Sequence, residues 1–534
     1  MTDGLQQSPP TNRCAHSKKS GRGQPHSKTL RNDGALRSPR QRLGVRLSSA
    51  AFIPVWCCHQ KPRPARSSLV SCRCRFLPDF FLFAPLAMLF LIFLPLLFLM
   101  SATEALSAAE FKAAVARTDI TPPLEYSLWG YSDRKGSATS VLDPLFARIL
   151  VLDDGSNRLA LVTLDLGRSF GPPFMDSLRQ RVRKSAGVHQ AFFMASHTHS
   201  GPVIDDAYPE GKIPPWETEA QNKIASAIEK ASGHLVPARL GTGYGETYIG
   251  HNRRFVQPDG SVKMFWRNAT KIPTHPVDPT VGIIRVDDSS GKPLAILVNY
   301  SCHPVVFGPD NLRYSADYPG AMAKHVEDHF DKAPICFFLQ AAPGDINPYF
   351  DKTPLPEDAD RLMKETGEQL GQEAVRVARG ITTRVPEKPS LKYSLDTMNF
   401  DLRWDAAQVM PVLEKRVNAT VAGYYRRSLV SPIPCPVMTL LINDEIALMG
   451  MPGEPFVEFA IDFRERAPAS DAFFVGYANG YYGYFPTMRA AVEGGYGANS
   501  LTTRTEVGAG EAMVNHALVK LNQMLGKLKT VPAP

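Results

Sequence analysis

Two histidines, His197 and His199, carry the strongest chemical signal in the sequence. They follow an apolar run, residues 191–194, which is typical of a buried strand. On an extended backbone, side chains two residues apart point to the same side. Imidazole ligates metals and titrates near neutral pH, so the pair could supply a metal ligand and an acid or base. Two exposed histidines at a polar strand end are the alternative.

Four further segments repeat this pattern of an apolar strand followed by a polar, glycine-rich turn: residues 299–304, 340–348, 451–456 and 479–487. Functional groups gather in loops at strand ends because a rigid sheet positions them. The pattern therefore predicts a metal or catalytic site at strand ends. Whether the five segments converge is left open by the sequence alone.

The basic character of the chain belongs to its N-terminal part. Residues 1–75 hold fifteen Lys/Arg and two Asp/Glu, so the remaining residues carry a net charge of −5 against +8 for the whole. This arm is too polar to build a core, and we expect it to be disordered or to reflect a misassigned start. It has no interleaved aromatics and no recognition motif, which argues against nucleic-acid binding.

Residues 76–109 are predicted to be a signal peptide or a membrane anchor. Residues 80–100 are uncharged and almost wholly apolar, long enough to span a bilayer, and small residues suited to signal-peptidase cleavage follow. We therefore expect a secreted or periplasmic protein, or one anchored by residues 80–100. Only Cys302, Cys336 and Cys435 follow the apolar segment, so the body is not a disulfide scaffold.

The body, residues 110–530, is predicted to be one large α/β domain with mixed β-sheets and flanking helices. Strand-like runs recur at residues 149–152, 159–166, 281–286, 294–298, 335–339, 437–442, 446–449 and 473–476. Helical patterns cover residues 221–231 and 358–379, the second ending at Gly380. Residues 153–157 are typical of a hairpin turn.

The order of several motifs resembles the catalytic, N-terminal domain of the neutral/alkaline non-lysosomal ceramidase family, especially its short bacterial members. The resemblance runs from residues 114–123 to about residue 500. Residues 196–202 (SHTHSGP) are its most specific motif, and the rest follow in the family's order: Asn252-Arg253, residues 315–320, residues 452–454 and the tyrosine segment 479–487.

The resemblance implies a metal centre. The family binds one zinc ion with two histidines, a glutamate and a tyrosine, which correspond here to His197, His303, Glu454 and Tyr484. Such a set leaves Zn²⁺ able to hold a water and to lower its pKa. The alternatives are a core histidine at His303, a first-turn helix carboxylate at Glu454 and a packed aromatic at Tyr484.

The resemblance also implies catalytic roles. His199 would move the proton between the water and the leaving group. Arg253 and Tyr496 match residues that contact the scissile carbonyl and would hydrogen-bond the oxyanion. Their alternatives are a surface ion pair for Arg253 and aromatic packing for Tyr496.

One position departs from the family. Where the ceramidases carry a serine, this chain has Asn347, which cannot form an acyl-enzyme. We expect Asn347 to hydrogen-bond substrate, and ceramide itself becomes less certain as the substrate. The chain ends about thirty residues after the last motif, so the family's C-terminal β-sandwich domain is expected to be absent.

These features favour an exported zinc-dependent hydrolase that cleaves an amide bond by a metal-activated water. Its substrate would be an N-acyl lipid, such as ceramide, or a related N-acyl compound, which points to sphingolipid or lipid metabolism. A zinc hydrolase of an ester, lactone or N-acyl-sugar and a non-catalytic binding module are the alternatives. A small-molecule or lipid substrate is the expected partner and membrane-surface contact is left open. Neither a nucleic acid nor a protein partner is inferred.

Overall fold

Strands that are apolar on both faces build the centre of the molecule. The computed structural model describes residues 110–204, 214–331, 334–415 and 419–529. Its strands are β1 (Lys112–Asp119), β2 (Ser140–Val141), β3 (Phe146–Asp153), β4 (Arg158–Leu164), β5 (Gln190–Ala195), β6 (Val236–Glu246), β7 (Gly250–Asn252), β8 (Arg254–Val256), β9 (Val262–Met264), β10 (Thr280–Asp288), β11 (Pro293–Tyr300), β12 (Arg313–Tyr314), β13 (Ile335–Gln340), β14 (Ile346–Pro348), β15 (Leu391–Phe400), β16 (Ile433–Ile442), β17 (Ile446–Gly450), β18 (Glu454–Pro455), β19 (Asp471–Val475) and β20 (Tyr484–Phe485).

The longer helices bury a stripe of apolar residues. They are α1 (Pro172–Ala186), α2 (Pro215–Ser232), α3 (Tyr318–Asp328), α4 (Ala359–Gly380), α5 (Ala406–Glu414), α6 (Ala419–Ser428), α7 (Val457–Arg466), α8 (Met488–Glu493) and α9 (Ala509–Met524). In α4, for example, Leu362, Leu370 and Val377 are buried. This spacing places them along one face of the helix.

Two mixed sheets dominate the architecture. Eight strands pair in the order β13-β11-β10-β6-β1-β3-β4-β5, and four pair in the order β15-β16-β17-β19. Most neighbours are antiparallel, whereas β11–β13, β4–β5 and β17–β19 are parallel. The hairpin between β3 and β4 pairs Asp153 with Arg158, as residues 153–157 predict.

Alternation along the strands supplies two different cores. In β4, Leu159 and Leu161 pack between the two sheets, whereas Ala160 and Val162 pack against α1 and α2. The helices α3 and α4 cover β10, β11 and β13, and α7 and α9 cover the four-stranded sheet. The result is a helix–sheet–sheet–helix arrangement. Because such strands are buried on both faces, they appear in the sequence as continuous apolar runs.

The segment after β19 joins the two edge strands of the eight-stranded sheet. Asn479 N donates to Phe193 O in β5 (2.7 Å), and Gly476 N donates to Gln340 O at the end of β13 (2.8 Å). The loops that follow β5, β11, β13 and β17 therefore meet beside this segment.

The predicted fold class is confirmed: mixed sheets with flanking helices form one compact unit. Each predicted strand run and both predicted helices correspond to elements of the structure. Two boundaries differ. The helix expected to stop before Gly380 includes that residue. The strand expected to carry both histidines ends at Ala195, so His197 and His199 lie beyond it.

The predicted basic arm, residues 1–75, and the predicted signal peptide or anchor, residues 76–109, lie outside the described residues. Within the described ranges, none of the helices combines the length and apolar character that a membrane crossing requires.

Candidate active site

The position of His197 is fixed by its backbone conformation, by a hydrogen bond and by a stacked ring. It lies after β5 with φ at +69°, a left-handed conformation, so it is not part of an extended strand. Its Nδ1 donates to Gly167 O at 2.6 Å, and its ring stacks on Tyr477 with centroids 4.0 Å apart. A hydrogen bond at Nδ1 fixes the tautomer and leaves Nε2 free to ligate. His197 and His199 do lie close together as predicted, with their Nε2 atoms 3.1 Å apart. The predicted reason, alternation along an extended strand, is wrong because the strand ends at Ala195.

His303, like His197, has its Nδ1 beside a backbone carbonyl. It follows β11, and its Nδ1 approaches Ile346 O at 3.1 Å. Its Nε2 lies 3.1 Å from Glu454 Oε2, and that oxygen is 3.6 Å from His197 Nε2. Ligand atoms of a tetrahedral zinc ion with bonds of about 2.1 Å lie about 3.4 Å apart. The two distances to Glu454 Oε2 are thus those expected between ligands of one ion, and the ligand atoms of the two histidines lie within 4.8 Å of each other.

Glu454 enters this group from a short strand. It belongs to β18, which pairs in parallel with β20 so that Glu454 lies opposite Tyr484. The helix α7 begins only at Val457, so Glu454 is not a first-turn helix carboxylate. Its other oxygen, Oε1, accepts a hydrogen bond from Tyr481 at 2.6 Å.

Protonation states in the cluster suit metal binding. Burial lowers the pKa of His197 to about 3 and also lowers the pKa of His303, which keeps both imidazoles neutral. Burial alone would raise the pKa of Glu454, but the two histidines hold it below its ordinary value. A buried carboxylate between neutral imidazoles is costly unless a cation accompanies it. Neutral imidazole and carboxylate are also the forms that bind metals.

Tyr484 completes the predicted ligand set. It is buried in β20, and its hydroxyl interacts with Glu454 and accepts a hydrogen bond from Arg253 Nη2 at 3.0 Å. Burial raises the pKa of Tyr484 well above its ordinary value, so without a cation the hydroxyl stays protonated.

His199 lies beside this group. Its Nε2 is 3.1 Å from His197 Nε2, and the ligand atoms of His197, His199 and His303 all lie within 4.8 Å of one another. The buried Nδ1 of His199 has no hydrogen-bond partner among the described residues. Burial lowers the pKa of His199 well below its ordinary value. The histidine cluster can therefore hold a metal ion, with His199 either as a third nitrogen ligand or as a proton carrier.

Arg253 connects the predicted metal ligand Tyr484 to Asn347. Its Nη1 donates to Asn347 Oδ1 at 3.0 Å, and its Nη2 donates to Gly344 O at 2.7 Å as well as to Tyr484. Asn347 Nδ2 in turn donates to Asp351 Oδ2 at 2.8 Å. Both ends of the Asn347 amide are engaged, so this side chain orients Arg253. Arg253 is buried, which excludes the alternative of a surface ion pair.

Tyr496 closes the cluster towards solvent. Its ring lies 5.4 Å from that of Tyr484 and 5.3 Å from the guanidinium carbon of Arg253, and 38% of the residue is exposed. All eight predicted residues thus lie in one connected group, and their individual roles stay predictions.

Several neighbours of the site were not predicted. Tyr481 lies in the tyrosine segment and bonds to Glu454, but three tyrosines in one segment gave no way to rank them. Gly130 has φ of +102°, and a Cβ there would come within 2.3 Å of the His199 ring. Only glycine fits such a position. Tyr131 then packs edge-on against His199 at 4.8 Å. A glycine between two aromatic residues, Trp129-Gly130-Tyr131, is the sequence feature that could have indicated this contact.

Comparison with known proteins finds relatives for part of the chain. Residues 111–364 match the family model described as neutral/alkaline non-lysosomal ceramidase, N-terminal. These residues belong to the neutral/alkaline non-lysosomal ceramidase family. The chain is 26% identical over 283 residues to a neutral ceramidase of Drosophila melanogaster, covering 49% of this chain and 39% of that protein. A Drosophila pseudoobscura pseudoobscura neutral ceramidase is 25% identical over 265 residues, covering 46% and 37%. The match thus spans less than half the length of these relatives.

Solved structures share the fold of this chain. Neutral ceramidase from Pseudomonas aeruginosa superimposes with a TM-score of 0.63 at 18% identity, covering 80% of this chain and 76% of that one. A structure described as ceramidase complexed with C2 gives a TM-score of 0.62 at 18% identity, covering 80% and 77%. At this identity the likeness concerns the fold.

Proposed function

We propose that this chain is an exported zinc-dependent hydrolase that cleaves the amide bond of an N-acyl lipid or a related N-acyl compound. One observation carries the proposal. The buried donor atoms of His197, His303 and Glu454 lie close together, and Tyr484, His199 and Arg253 lie beside them. The family match of residues 111–364 supports the reaction class.

The residues present fit a zinc ion. Both ligating imidazoles are neutral, both Nδ1 atoms are engaged by backbone carbonyls, and the carboxylate has no other cation in hydrogen-bond contact among the described residues. A zinc ion held by His197, His303, Glu454 and Tyr484 would lower the pKa of a water molecule and polarise the amide carbonyl.

His199 is placed to handle the proton. It accepts a proton at Nε2, on the side facing His197, and delivers it to the amine that leaves. Its low pKa keeps the ring neutral and able to accept. Gly130 and Tyr131 hold the ring in position by contact rather than by hydrogen bonds.

Arg253 is placed to stabilise negative charge on the carbonyl oxygen. Its guanidinium is buried and fixed by Asn347 and Gly344, so little reorganisation accompanies the reaction. Tyr496, on the exposed side of Arg253, is the second donor that we assign to this oxygen. Asn347 offers no hydroxyl at the position of the family serine, so the mechanism we propose has no acyl-enzyme.

The test combines metal analysis with substrate profiling. The full-length protein is purified, its zinc content measured, and hydrolysis followed on ceramide, simple N-acyl amides, matched esters and lactones. We expect stoichiometric zinc and faster hydrolysis of amides. A protein that cleaves only the esters or lactones, or none of the panel while holding zinc, would contradict the proposal.

Export is part of the same proposal and rests on the apolar segment of residues 80–100 followed by small residues. N-terminal sequencing of the mature protein should show a start after residue 100. A mature chain that begins at residue 1 and stays in the cytoplasm would contradict it.

A further inference from the structure

A lysine ammonium group lies at the exposed side of the site. Lys352 Nζ is 4.3 Å from the centre of the Trp266 ring and 5.8 Å from the centre of the Tyr131 ring. Cations are attracted to the faces of aromatic rings at such distances. The ammonium group is therefore held between two aromatic side chains and is partly exposed.

The same two rings touch the two groups that act on the amide. Tyr131 packs against His199, and the Trp266 ring lies 5.2 Å from the guanidinium carbon of Arg253. Lys352 thus stands between the proton-transfer side and the carbonyl side of the site. Through Tyr131, its Nζ is at most about 11 Å from the His199 ring centre, since the two contacts of 5.8 and 4.8 Å set an upper limit.

The backbone fixes this position. Lys352 N donates to Val305 O at 2.8 Å, and Thr353 N donates to Val306 O at 2.8 Å, which ties the lysine to the loop that carries His303. The φ of Lys352 is +49°, a left-handed conformation that is uncommon for a residue with a Cβ. Such conformations cluster where a side chain has to be aimed at a functional site.

No carboxylate among the described residues forms an ion pair with Lys352, and Asp351 acts on it only as a neighbouring charge. Lys324, Lys392 and Lys520 each have a carboxylate within 4 Å, whereas Lys352 forms no ion pair within residues 110–204, 214–331, 334–415 and 419–529. The adjacent Asp351 points into the protein, where it accepts from Asn347.

A second cation strengthens the positive field. Arg134 donates to three backbone carbonyls, of Trp129, His199 and Gly308, and to no carboxylate that the structure describes. Among the described residues neither cation has an ion-pair partner, and Asp133 and Asp310 act on Arg134 only as neighbouring charges. An amide with no charged group would supply neither of them with one.

We infer that the preferred substrates are N-acyl amino acids, in which a carboxylate on the amine portion binds Lys352. This inference rests on the proposed amide hydrolysis and specifies its substrate class. The amine portion is the relevant one because His199, which protonates the leaving amine, lies on the side of Tyr131 and Lys352. The upper limit of about 11 Å is compatible with a carboxylate one to three carbons from the amide nitrogen. Partly desolvated, it forms a charge-assisted hydrogen bond with the ammonium group.

The test compares two substrates that differ at one group. N-dodecanoylglycine and N-dodecanoylethanolamine carry a carboxylate and a hydroxymethyl group at the same place, and N-dodecanoyl-4-aminobutyrate extends the spacer. The ratio of kcat/KM between acid and alcohol is measured, below micelle-forming concentrations, for the zinc-loaded wild type, Lys352→Gln, Lys352→Arg and the control Lys324→Gln.

We expect the wild type to favour the better of the two acids over the alcohol. Lys352→Gln should lower the ratio about 10–100-fold, which is the typical contribution of a hydrogen bond to a charged group. Lys352→Arg should restore most of the ratio, and Lys324→Gln should match the wild type. A wild type that prefers the alcohol, or a Lys352→Gln variant that slows acid and alcohol equally, would overturn the inference.

Binding keeps the inference testable without turnover. Equilibrium binding of the same three amides to the zinc-loaded protein is followed by tryptophan fluorescence. If no amide is cleaved, the proposed function fails, yet tighter binding of an acid that Lys352→Gln abolishes would still support the carboxylate site. Equal binding of acid and alcohol would refute it.

Discussion

The hydrogen bond from Tyr481 to Glu454 gives the sharpest prediction of how the metal centre is built. Both residues are buried, and the hydroxyl oxygen lies 2.6 Å from Oε1 of the carboxylate. The bond fixes one carboxylate oxygen and leaves Oε2 directed at His197 and His303. Removing the hydroxyl should release Glu454 from this orientation and leave Oε1 buried without a donor.

The expected size follows from two independent scales. A hydrogen bond to a charged group contributes about 1.5–3 kcal/mol. At about 1.4 kcal/mol per tenfold change, this corresponds to a 10–100-fold loss of metal affinity. Substitution of groups that orient metal ligands costs the same 10–100-fold in other metal sites. We therefore expect Tyr481→Phe to weaken zinc binding by about 10–100-fold.

Tyr477→Phe is the matched control. Its ring stacks on His197, but its buried hydroxyl has no hydrogen-bond partner among the described residues. The variant keeps the ring contact and should keep zinc affinity within about threefold, since no bond is lost. Zinc affinity is measured by competition with a chelator, and the rise in unfolding temperature on zinc addition gives a second readout. Equal affinity in the two variants would refute the assigned role of Tyr481.

Three further outcomes follow. Gly130→Ala should keep zinc but lose about 10²–10⁴-fold in turnover, because the added Cβ would come within 2.3 Å of the His199 ring. A fully active variant would show that the position of His199 does not depend on Gly130. Ser301→Ala should retain turnover, since the Oγ of Ser301 accepts a hydrogen bond from Ala342 N at 3.3 Å and is assigned no catalytic role. Enzyme quenched during turnover should show no acyl adduct by mass spectrometry, and an adduct on Ser301 would contradict this. Burial raises the pKa of Asp143 from 3.8 to about 6, so its contribution to stability is lost as pH rises through that range. Asp143→Asn should therefore gain about 2 kcal/mol on the wild type in urea unfolding between pH 4 and 7, and a difference that does not change with pH would disprove it.

Much of the fold could be predicted because its strands are buried on both faces. Apolar runs such as residues 159–166 and 437–442 are difficult to interpret as anything other than buried strands in a chain of this length. The residue types at 153–157 specify a hairpin turn. Family motifs then supplied the eight site residues, because motif order survives where overall identity is low.

Other features depend on contacts between distant segments, which local patterns do not encode. The left-handed backbone of His197 is fixed by Leu166 and Gly167, about thirty residues earlier in the chain. The closure of the sheet by the segment after β19 requires both edge strands to be in place. The engagement of both ends of the Asn347 amide, and the bond from Tyr481 to Glu454, are visible only once side chains are placed.

The central claim is that one zinc ion is held by His197, His303, Glu454 and Tyr484, with His199 free to move protons. The most direct measurement is the zinc content of the full-length wild type, His303→Ala and His199→Ala after dialysis, by mass spectrometry of the metal. We predict about one zinc per chain in the wild type and in His199→Ala, with turnover of the latter reduced about 10²–10⁴-fold, and loss of zinc in His303→Ala. Loss of zinc from His199→Ala as complete as that from His303→Ala would make His199 a ligand and contradict the account.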